Sequence, residues 1–318
     1  MKNAIILSVI IPTYNGEQFL AEALESICLQ GDVGDIECIV VDDGSEDGTL
    51  SVVEKFSNKL TLVVVKKVGE RGWVSSTNLA LQHARGIYSC FLHQDDIWLS
   101  NRLAVLRALI KAYPLVDFFI TSTQFVGTNG RVLGSWTPKF DSLPRVLPAQ
   151  DALKVLLIQN AIAIPAPLFR TRTALGVGGL DESLWYTADW DFWLRLVSAG
   201  VVAYFPQETV GFRIHAASQT VVRSDKASVF HAQMQAVIDR HAVTVSDDVY
   251  ARAARFSVEV NVALASAMHG QLSSLLRLAG LFFRSDCRML CLYFKCSGIR
   301  QRVLPRFFAL LASKFSRL

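Results

Sequence analysis

The feature that most constrains the fold of this chain is a repeated pairing of short apolar segments with segments of helical periodicity. The apolar runs are 7–11, 37–41, 60–65 and 87–92, and the helical stretches that follow them are 17–30, 47–56, 75–84 and 101–113. Apolar runs of this length, bounded by turn residues, predict buried strands. Because the strands alternate with helices, the pattern predicts βαβ units and an α/β fold with a mainly parallel sheet.

Two of the predicted strands stop abruptly at adjacent carboxylates. The second is followed by Asp42 and Asp43, and the fourth by Asp95 and Asp96. Unpaired buried carboxylates are costly, so these groups are expected to face a cleft, a metal or a cationic partner. The cleft beyond the carboxyl ends of the strands is where open α/β sheets bind ligands, and carboxylates there can hold a divalent metal against phosphate oxygens. Turn chemistry is the alternative for Asp43, and a helix cap is the alternative for Asp95 and Asp96.

The second half of the chain has a different pattern. Strands are predicted at 118–125, 131–133, 201–205 and 210–214, helices at 151–159 and 189–199, a loop at 134–150 and an extended segment at 164–169. From about residue 226 the pattern is entirely helical. We therefore predict one domain over 1–225, with halves at 1–115 and 116–225, and a helical C-terminal region at 226–318.

The C-terminal region is strongly basic. Residues 271–318 contain nine Lys or Arg and one acid, whereas the preceding 270 residues have a net charge of −4. This distribution argues against a uniform basic surface for nucleic acid. Apolar blocks interrupted by basic residues are typical of helices that lie on an anionic membrane surface. A helical subdomain packed on the core, or a dimer contact, is the alternative.

Other sequence features exclude several classes of protein. The chain has 51% hydrophobic residues and a mean hydropathy of +0.32, which is too apolar for a disordered protein. It lacks the glycine-rich loops of dinucleotide oxidoreductases and P-loop enzymes. The six cysteines have no paired zinc spacing and are expected to be free thiols. We expect neither a signal peptide nor a transmembrane helix.

Six segments of the chain, in order, resemble the successive motifs of family 2 glycosyltransferases. They are VIIPTYNG at 9–16, IVVDDGSEDGT at 39–49, QDDIW at 94–98, GGLDE at 178–182, ADWDFWLR at 188–195 and FRIH at 212–215. The resemblance covers roughly residues 5–220. It implies a GT-A fold, that is, a Rossmann-like, mainly parallel central sheet flanked by helices, here with a C-terminal helical extension. It also implies a nucleotide-sugar donor, a divalent cation (Mg²⁺ or Mn²⁺) and transfer with inversion at the anomeric carbon. On this resemblance, 1–115 is the nucleotide-binding half of the domain and 116–225 is the acceptor half.

The resemblance also assigns roles to individual residues, position by position. Pro12, Thr13 and Tyr14 would line the nucleoside pocket, and Asp43 would contact the base or ribose. Asp95 matches the metal-binding carboxylate, Asp96 would support the donor sugar or the metal, Asp189 matches the catalytic base, and His215 would approach the metal or the diphosphate. Trp190 and Trp193 would form part of an acceptor wall, although Trp193 also fits a core face. A helix N-cap is the alternative for Asp189, and a structural or surface histidine is the alternative for His215.

Two positions depart from the family pattern. The family usually has an acid where His93 stands, and often has Glu at the position of Ala188. Loss of a carboxylate beside the base removes a like charge that would raise the pKa of the base. These departures leave open a catalytically silent subunit that binds nucleotide-sugars. A nucleotidyltransferase is a weaker alternative, because its glycine-rich basic loop is missing.

The resulting prediction is an inverting, metal-dependent glycosyltransferase that carries out hexosyl or deoxyhexosyl transfer. The donor is predicted to be a UDP-sugar, with dTDP- and GDP-sugars as alternatives. The acceptor is predicted to be a glycan or a lipid-linked hydroxyl in cell-surface polysaccharide or glycolipid synthesis. The protein is predicted to be cytoplasmic and peripheral on the inner face of the cell membrane, and not to bind nucleic acid.

Overall fold

The computed structural model of the protein describes residues 4–140, 145–215, 226–271 and 273–305. Its centre is a sheet of ten strands. The strands are β1 (Leu7–Thr13), β2 (Ile36–Asp42), β3 (Thr61–Lys66), β4 (Tyr88–Phe91), β5 (Ile97–Trp98), β6 (Phe118–Val126), β7 (Val132–Trp136), β8 (Arg145–Leu147), β9 (Leu168–Arg170) and β10 (Val202–Arg213). Their order is β3-β2-β1-β4-β9-β6-β10-β5, with β7 paired to β6 and β8 paired to β10.

Helices cover both faces of this sheet. They are α1 (Leu20–Cys28), α2 (Thr49–Glu54), α3 (Trp73–Gln82), α4 (Arg102–Ala112), α5 (Ala149–Ile158), α6 (Thr171–Gly176), α7 (Ala188–Ala199), α8 (Ala227–His241), α9 (Asp248–Met268), α10 (Ser273–Arg284) and α11 (Cys287–Ser297). The predicted α/β fold is confirmed, and the region from residue 226 is helical in the described residues, apart from short connections. The six cysteines are free, as expected.

The first half of the sheet is parallel, and its strands β1, β2 and β4 are buried on both faces, whereas the edge strand β3 is only partly buried. Along β1, Val9 and Ile11 pack on one side of the sheet and Ile10 on the other, as the two-residue period of a strand requires. Strand β1 lies between β2 and β4 and is parallel to both. The carboxyl ends of these three strands therefore lie at the same edge of the sheet.

The rest of the sheet and the helices around it differ from prediction in several places. The two strands predicted at 201–205 and 210–214 form one strand, β10, because irregular pairing between Tyr204 and Val210 keeps it attached to β6. Strand β8 and the end of β7 lie inside the predicted loop 134–150. Strand β5 and helix α6 were not predicted, since two and six residues are too short to show a period.

Helices α8 and α9 contribute to the main apolar cluster of the molecule, and α9 and α11 also share a smaller apolar core with α5. In this core Ile158 of α5 meets Phe256 of α9 and Tyr293 of α11. Among the described residues, none of the helices combines the length and the apolar character needed to cross a membrane. The apolar block predicted at 306–311 and the predicted domain boundary at 225 lie outside the described residues. The division into 1–225 and 226–318 stays a prediction.

Candidate active site

The ends of β1 and β4 are joined by the side chain of Gln94. Its Oε1 accepts hydrogen bonds from the Thr13 hydroxyl at 2.7 Å and the Tyr14 amide at 2.8 Å, and its Nε2 donates to the Tyr14 carbonyl at 3.1 Å. The Asp43 amide donates to the Thr13 carbonyl at 2.8 Å, which attaches the end of β2. The three strand ends thus form one connected edge. Sequence analysis gave Gln94 no role.

The predicted nucleoside pocket is built around Tyr14 and Asp43. Pro12 and Thr13 are buried, so only Tyr14 of the predicted trio exposes much of its side chain. The Arg71 guanidinium lies 4.7 Å from the centre of the Tyr14 ring and donates to its hydroxyl at 2.6 Å. This stacked pair is suited to contact a planar base.

The Asp43 carboxylate is held by two donors from one connecting segment. Lys67 Nζ lies 2.7 Å from Oδ1, and the Gly72 amide donates to Oδ2 at 2.7 Å. The turn contacts instead fall on Asp42, whose carboxylate accepts from the Ser45 amide at 3.3 Å. The turn alternative therefore fits Asp42 better than Asp43. Asp43 fixes the segment that leads into α3.

The segment after β4 gathers three potential metal ligands. A ring nitrogen of His93 and one carboxylate oxygen from each of Asp95 and Asp96 all lie within 4.8 Å of one another. Two buried atoms in this group, His93 Nε2 and Asp96 Oδ2, have no hydrogen-bond partner in the described ranges. Orphaned buried polar atoms are costly, and a cation would satisfy both. The residues present therefore fit a divalent metal. The helix-cap alternative is wrong, because α4 begins at Arg102 with Asn101 as its N-cap residue.

His215 joins this group from the end of β10. Its Nε2 lies 2.9 Å from Asp95 Oδ2. Burial raises the pKa of Asp95, but the hydrogen bond with His215 and the charges of His93 and His215 outweigh burial and hold that pKa below its usual range. Asp95 is therefore ionised at neutral pH.

His93 and Asp96 are shifted toward their neutral forms. Burial lowers the pKa of His93, with opposition from Asp95. Burial, and then the charge of Asp95, raise the pKa of Asp96 well above its usual range. A neutral imidazole is the form that binds a metal, and a bound cation would favour ionisation of Asp96. The electrostatics of the group thus agree with its geometry.

Arg213 holds the carboxylate segment in place from β10. Its backbone amide donates to Asp96 Oδ1 at 2.9 Å, its Nε to the Asp95 carbonyl at 2.8 Å and its Nη1 to the Gly127 carbonyl at 2.8 Å. Its Nη2 also forms an ion pair with Glu22 at 2.7 Å. Sequence analysis gave Arg213 no role, although it stands two positions before His215 in the FRIH motif.

Asp189, the predicted catalytic base, lies in the first turn of α7. Its Oδ2 accepts a hydrogen bond from Asn160 Nδ2 at 2.9 Å. Burial raises its pKa to about 6, against the lowering effect of that hydrogen bond. The N-cap alternative is wrong, since the N-cap residue of α7 is Thr187. A carboxylate with this pKa is suited to accept a proton at neutral pH.

Helix α7 packs directly on the strand that leads to Asp95. The ring of Phe91 in β4 lies 5.9 Å from the rings of both Phe192 and Trp193. Trp190 and Trp193 are 2% and 0% exposed, so the predicted acceptor wall is wrong for both residues. They belong to the core that fixes α7 against the sheet.

Ala188 also faces the core. It is fully buried within the main apolar cluster, where it packs among the aromatic residues of α7. A glutamate at this position in the same backbone would bury a further charge. The departure from the family pattern at Ala188 is therefore compatible with the local packing.

Comparisons with known proteins are consistent with this arrangement. Residues 8–153 match the sequence profile described as Glycosyl transferase family 2. A glycosyltransferase of Rickettsia typhi is 29% identical over 226 residues, which cover 68% of this chain and 66% of that protein. The poly(ribitol-phosphate) beta-N-acetylglucosaminyltransferase TarS of Staphylococcus aureus is 32% identical over 169 residues, which cover 52% of this chain and 27% of TarS. The chain thus spans less than two thirds of the length of either relative.

Two solved structures share the fold. S. aureus TarS 1–349 in complex with UDP-GlcNAc superposes with a TM-score of 0.64 at 21% identity, covering 92% of this chain and 79% of that one. The mannosyltransferase PcManGT of Pyrobaculum calidifontis, in complex with GDP-Man and Mn²⁺, superposes with a TM-score of 0.59 at 18% identity, covering 98% and 85%. The shared fold is of the GT-A type. The segment at residues 8–153 is thus similar to glycosyl transferase family 2.

Proposed function

We propose that this protein is an inverting, metal-dependent glycosyltransferase that moves a hexosyl or deoxyhexosyl group from a nucleotide-sugar to an acceptor hydroxyl. The observation that carries the proposal is the group formed by His93, Asp95 and Asp96, with its two orphaned ligand atoms. It stands at the strand ends, next to Tyr14 and Asp43, where an α/β sheet binds nucleotides.

The proposed roles divide the site into two parts. Asp95, with His215 beside it, would hold Mg²⁺ or Mn²⁺, and Asp96 would support the donor sugar or the same ion. When bound, the ion supplies positive charge that offsets the negative charge developing on the departing nucleoside diphosphate. Pro12, Thr13, Tyr14 and Asp43 would hold the nucleoside.

Asp189 would act as the general base. As the acceptor oxygen forms its bond to the anomeric carbon, the bond from that carbon to the diphosphate oxygen breaks, and the acceptor proton moves to the Asp189 carboxylate. Attack from the face opposite the leaving group inverts the configuration. The pKa of about 6 supports this role, because the carboxylate is ionised at neutral pH and still basic enough to accept a proton.

The donor is proposed to be a UDP-sugar. The support comes from TarS 1–349, which shares the fold and is known in complex with UDP-GlcNAc. The PcManGT complex with GDP-Man supports GDP-sugars as an alternative. The test therefore compares UDP-sugars with GDP-sugars and dTDP-sugars. The acceptor is proposed to be a glycan or lipid-linked hydroxyl of a cell-surface polysaccharide or glycolipid.

We place the protein on the inner face of the cell membrane, held by its C-terminal helices. On α10, Leu276 and Phe283 are exposed and lie seven residues apart, close to the same line along the helix. Arg277 and Arg284 flank this line and are also exposed. An apolar line with basic neighbours complements an anionic lipid surface.

The test of the catalytic proposal is nucleotide release from a panel of UDP-, dTDP- and GDP-sugars, measured with Mn²⁺ or Mg²⁺ present. Asp95→Ala is expected to reduce release from the preferred donor by about a hundredfold or more, as loss of a key electrostatic group does. Asp239→Ala, at an exposed carboxylate on α8, is the matched control and should release nucleotide normally.

Near-normal release by Asp95→Ala would overturn the metal role of this residue. The rival proposal is a silent binding subunit. It would be favoured if the wild-type protein binds UDP in calorimetry but shows neither hydrolysis nor transfer with any donor of the panel.

A further inference from the structure

We propose that His93 is a nitrogen ligand of the metal and that it makes this site prefer Mn²⁺ to Mg²⁺. The inference rests on the proposed metal-dependent function and concerns which ion the chain selects. It gives a direct role to the position at which the chain departs from the family pattern.

The immediate surroundings of His93 leave one ring nitrogen available. Nε2 is buried and has no hydrogen-bond partner among the described residues. The ring meets Trp73 edge-on, with centroids 5.4 Å apart, and Trp73 is itself held by a hydrogen bond from Nε1 to the Trp185 carbonyl at 2.7 Å. The imidazole is thus oriented by an aromatic side chain that cannot satisfy the buried nitrogen.

His93 and Asp96, the two residues with orphaned atoms, belong to one cluster. Asp96 is 1% exposed, and within the described part of the chain its Oδ2 also lacks a hydrogen-bond partner, while Oδ1 accepts from the Arg213 amide. One ligand atom each from His93, Asp95 and Asp96 lies within 4.8 Å of the other two. A cation bound between these three residues would provide a partner for the buried nitrogen of His93 and the buried oxygen of Asp96.

Unlike an all-oxygen site, this cluster offers a nitrogen ligand, and the type of ligand atom affects which ion binds. Mg²⁺ takes oxygen ligands almost exclusively and dehydrates reluctantly. A first-row transition ion such as Mn²⁺ binds an imidazole nitrogen more readily than Mg²⁺ does, whereas a carboxylate in its place suits both ions. Replacement of an acid by His93 therefore weakens the site for Mg²⁺ more than for Mn²⁺. His215 contacts Asp95 and offers a second imidazole, so the two histidines must be tested separately.

The experiment is pulsed electron paramagnetic resonance on the full chain with Mn²⁺ and UDP bound. In this measurement a directly coordinated imidazole nitrogen modulates the Mn²⁺ signal, whereas oxygen ligands do not. We expect nitrogen modulation in the wild-type protein that persists in His215→Gln and decreases or disappears in His93→Asp. His231→Gln, at a half-exposed histidine paired with Glu259, is the matched control and should leave the signal unchanged.

Competition by Mg²⁺ gives a second readout. The Mg²⁺ concentration that displaces half of the bound Mn²⁺ is expected to fall by about tenfold in His93→Asp, because the site then offers three carboxylates. This measurement requires bound metal but no turnover.

The outcomes separate the inference from the proposed function on which it rests. Mn²⁺ binding with no nitrogen modulation in His215→Gln would overturn the role of His93, and this result does not require a His93 variant to fold. A wild-type protein that binds no Mn²⁺ with UDP, or binds it equally after Asp95→Ala, would instead contradict the proposed metal site itself. An unchanged Mg²⁺ competition in a folded His93→Asp protein would also overturn the inference.

Discussion

At the scale of single residues, the environment of Asp189 determines its chemistry. Burial raises its pKa to about 6, and the hydrogen bond from Asn160 keeps that pKa from rising further. A general base must be ionised to act, so its pKa appears directly in the dependence of activity on pH.

We predict that kcat/KM rises with increasing pH through an inflection near pH 6. Below that pH Asp189 is protonated and cannot take the proton from the acceptor hydroxyl, whereas above it the carboxylate is ionised and can do so. The measurement is transfer of sugar to an acceptor over a pH series with saturating metal. Asp189→Asn should lose transfer while it still binds UDP, and full transfer by this variant would contradict the assignment.

Asn160→Ala should move the same inflection to higher pH. The substitution removes a hydrogen bond that lowers the pKa of Asp189, so more hydroxide is needed to ionise the base. The pH profile of the variant is compared with that of Gln235→Ala, which changes a side-chain amide on α8 that donates to Asp239. An inflection at the same pH in Asn160→Ala as in the wild type would show that another group controls the loss of activity at low pH.

At the scale of elements, helix α7 is held by an ionic group around Asp191. Its fully buried carboxylate accepts from Arg195 Nε at 2.7 Å, and from Arg240 and His241 of α8 at 2.8 Å each. Burial alone would raise the pKa of Asp191, but the bond with His241 and the arginines outweigh burial and lower that pKa to about 2. Arg240 also pairs with Asp181 at 2.8 Å. The group therefore links α7, α8 and the GGLDE segment.

We predict that Asp191→Asn destabilises the protein strongly. The substitution leaves Arg195 without this carboxylate and Arg240 with Asp181 alone. Removal of one partner from a buried ionic group typically costs about 3–5 kcal/mol in the free energy of unfolding. Urea unfolding at neutral pH measures the loss. Glu259→Gln, at the half-exposed pair with His231, is the control and should cost at most about 1 kcal/mol. Equal effects of the two substitutions would contradict the role of Asp191.

The depressed pKa of Asp191 also predicts a dependence of stability on pH. The carboxylate has an unfolded pKa near 3.8 and a folded pKa of about 2, so its contribution is complete above the unfolded value and is lost as pH falls through the folded one. The difference corresponds to roughly 2 kcal/mol in the wild-type free energy of unfolding. Between about pH 5 and pH 2, the free energy of unfolding should fall by this amount more in the wild type than in Asp191→Asn. Unfolding curves measured over this pH range give the difference.

The elements that sequence could predict are those whose own residues determine them. Strands β1, β2 and β4 are continuous apolar runs because both of their faces are buried, and the carboxylates follow where those runs end. Gln94 and Arg213 could not be assigned in this way. Their roles come from contacts with Tyr14 and Asp95, which are 80 and 118 positions away in the chain. Such contacts exist only once the sheet has formed.

At the scale of the whole molecule, the C-terminal helices expose an apolar surface. One side of α10 packs inward, where Phe282 meets Phe256 of α9 edge-on with ring centroids 4.9 Å apart. The other side carries Phe283 and Leu276, which are 92% and 78% exposed. Packing on the core, the alternative to membrane binding, therefore accounts for one side of α10. The other side is exposed and can contact a membrane surface.

We predict that the full chain binds vesicles of equimolar phosphatidylglycerol and phosphatidylcholine through this exposed side of α10. Phe283→Ser should weaken binding by about tenfold or more, since burial of such a side chain contributes about 1.5–3 kcal/mol. Arg277→Glu with Arg284→Glu should weaken binding further and reduce its salt dependence, because each basic residue near an anionic surface contributes about 1 kcal/mol. Cosedimentation over a lipid titration measures both effects.

Val243→Ser, at an 86% exposed residue after α8, is the control and should bind normally. Each variant should still release nucleotide from the donor, since these residues lie outside the proposed catalytic site. Vesicle binding by Phe283→Ser equal to that of the control would contradict membrane docking through α10 and favour a protein partner for the same surface.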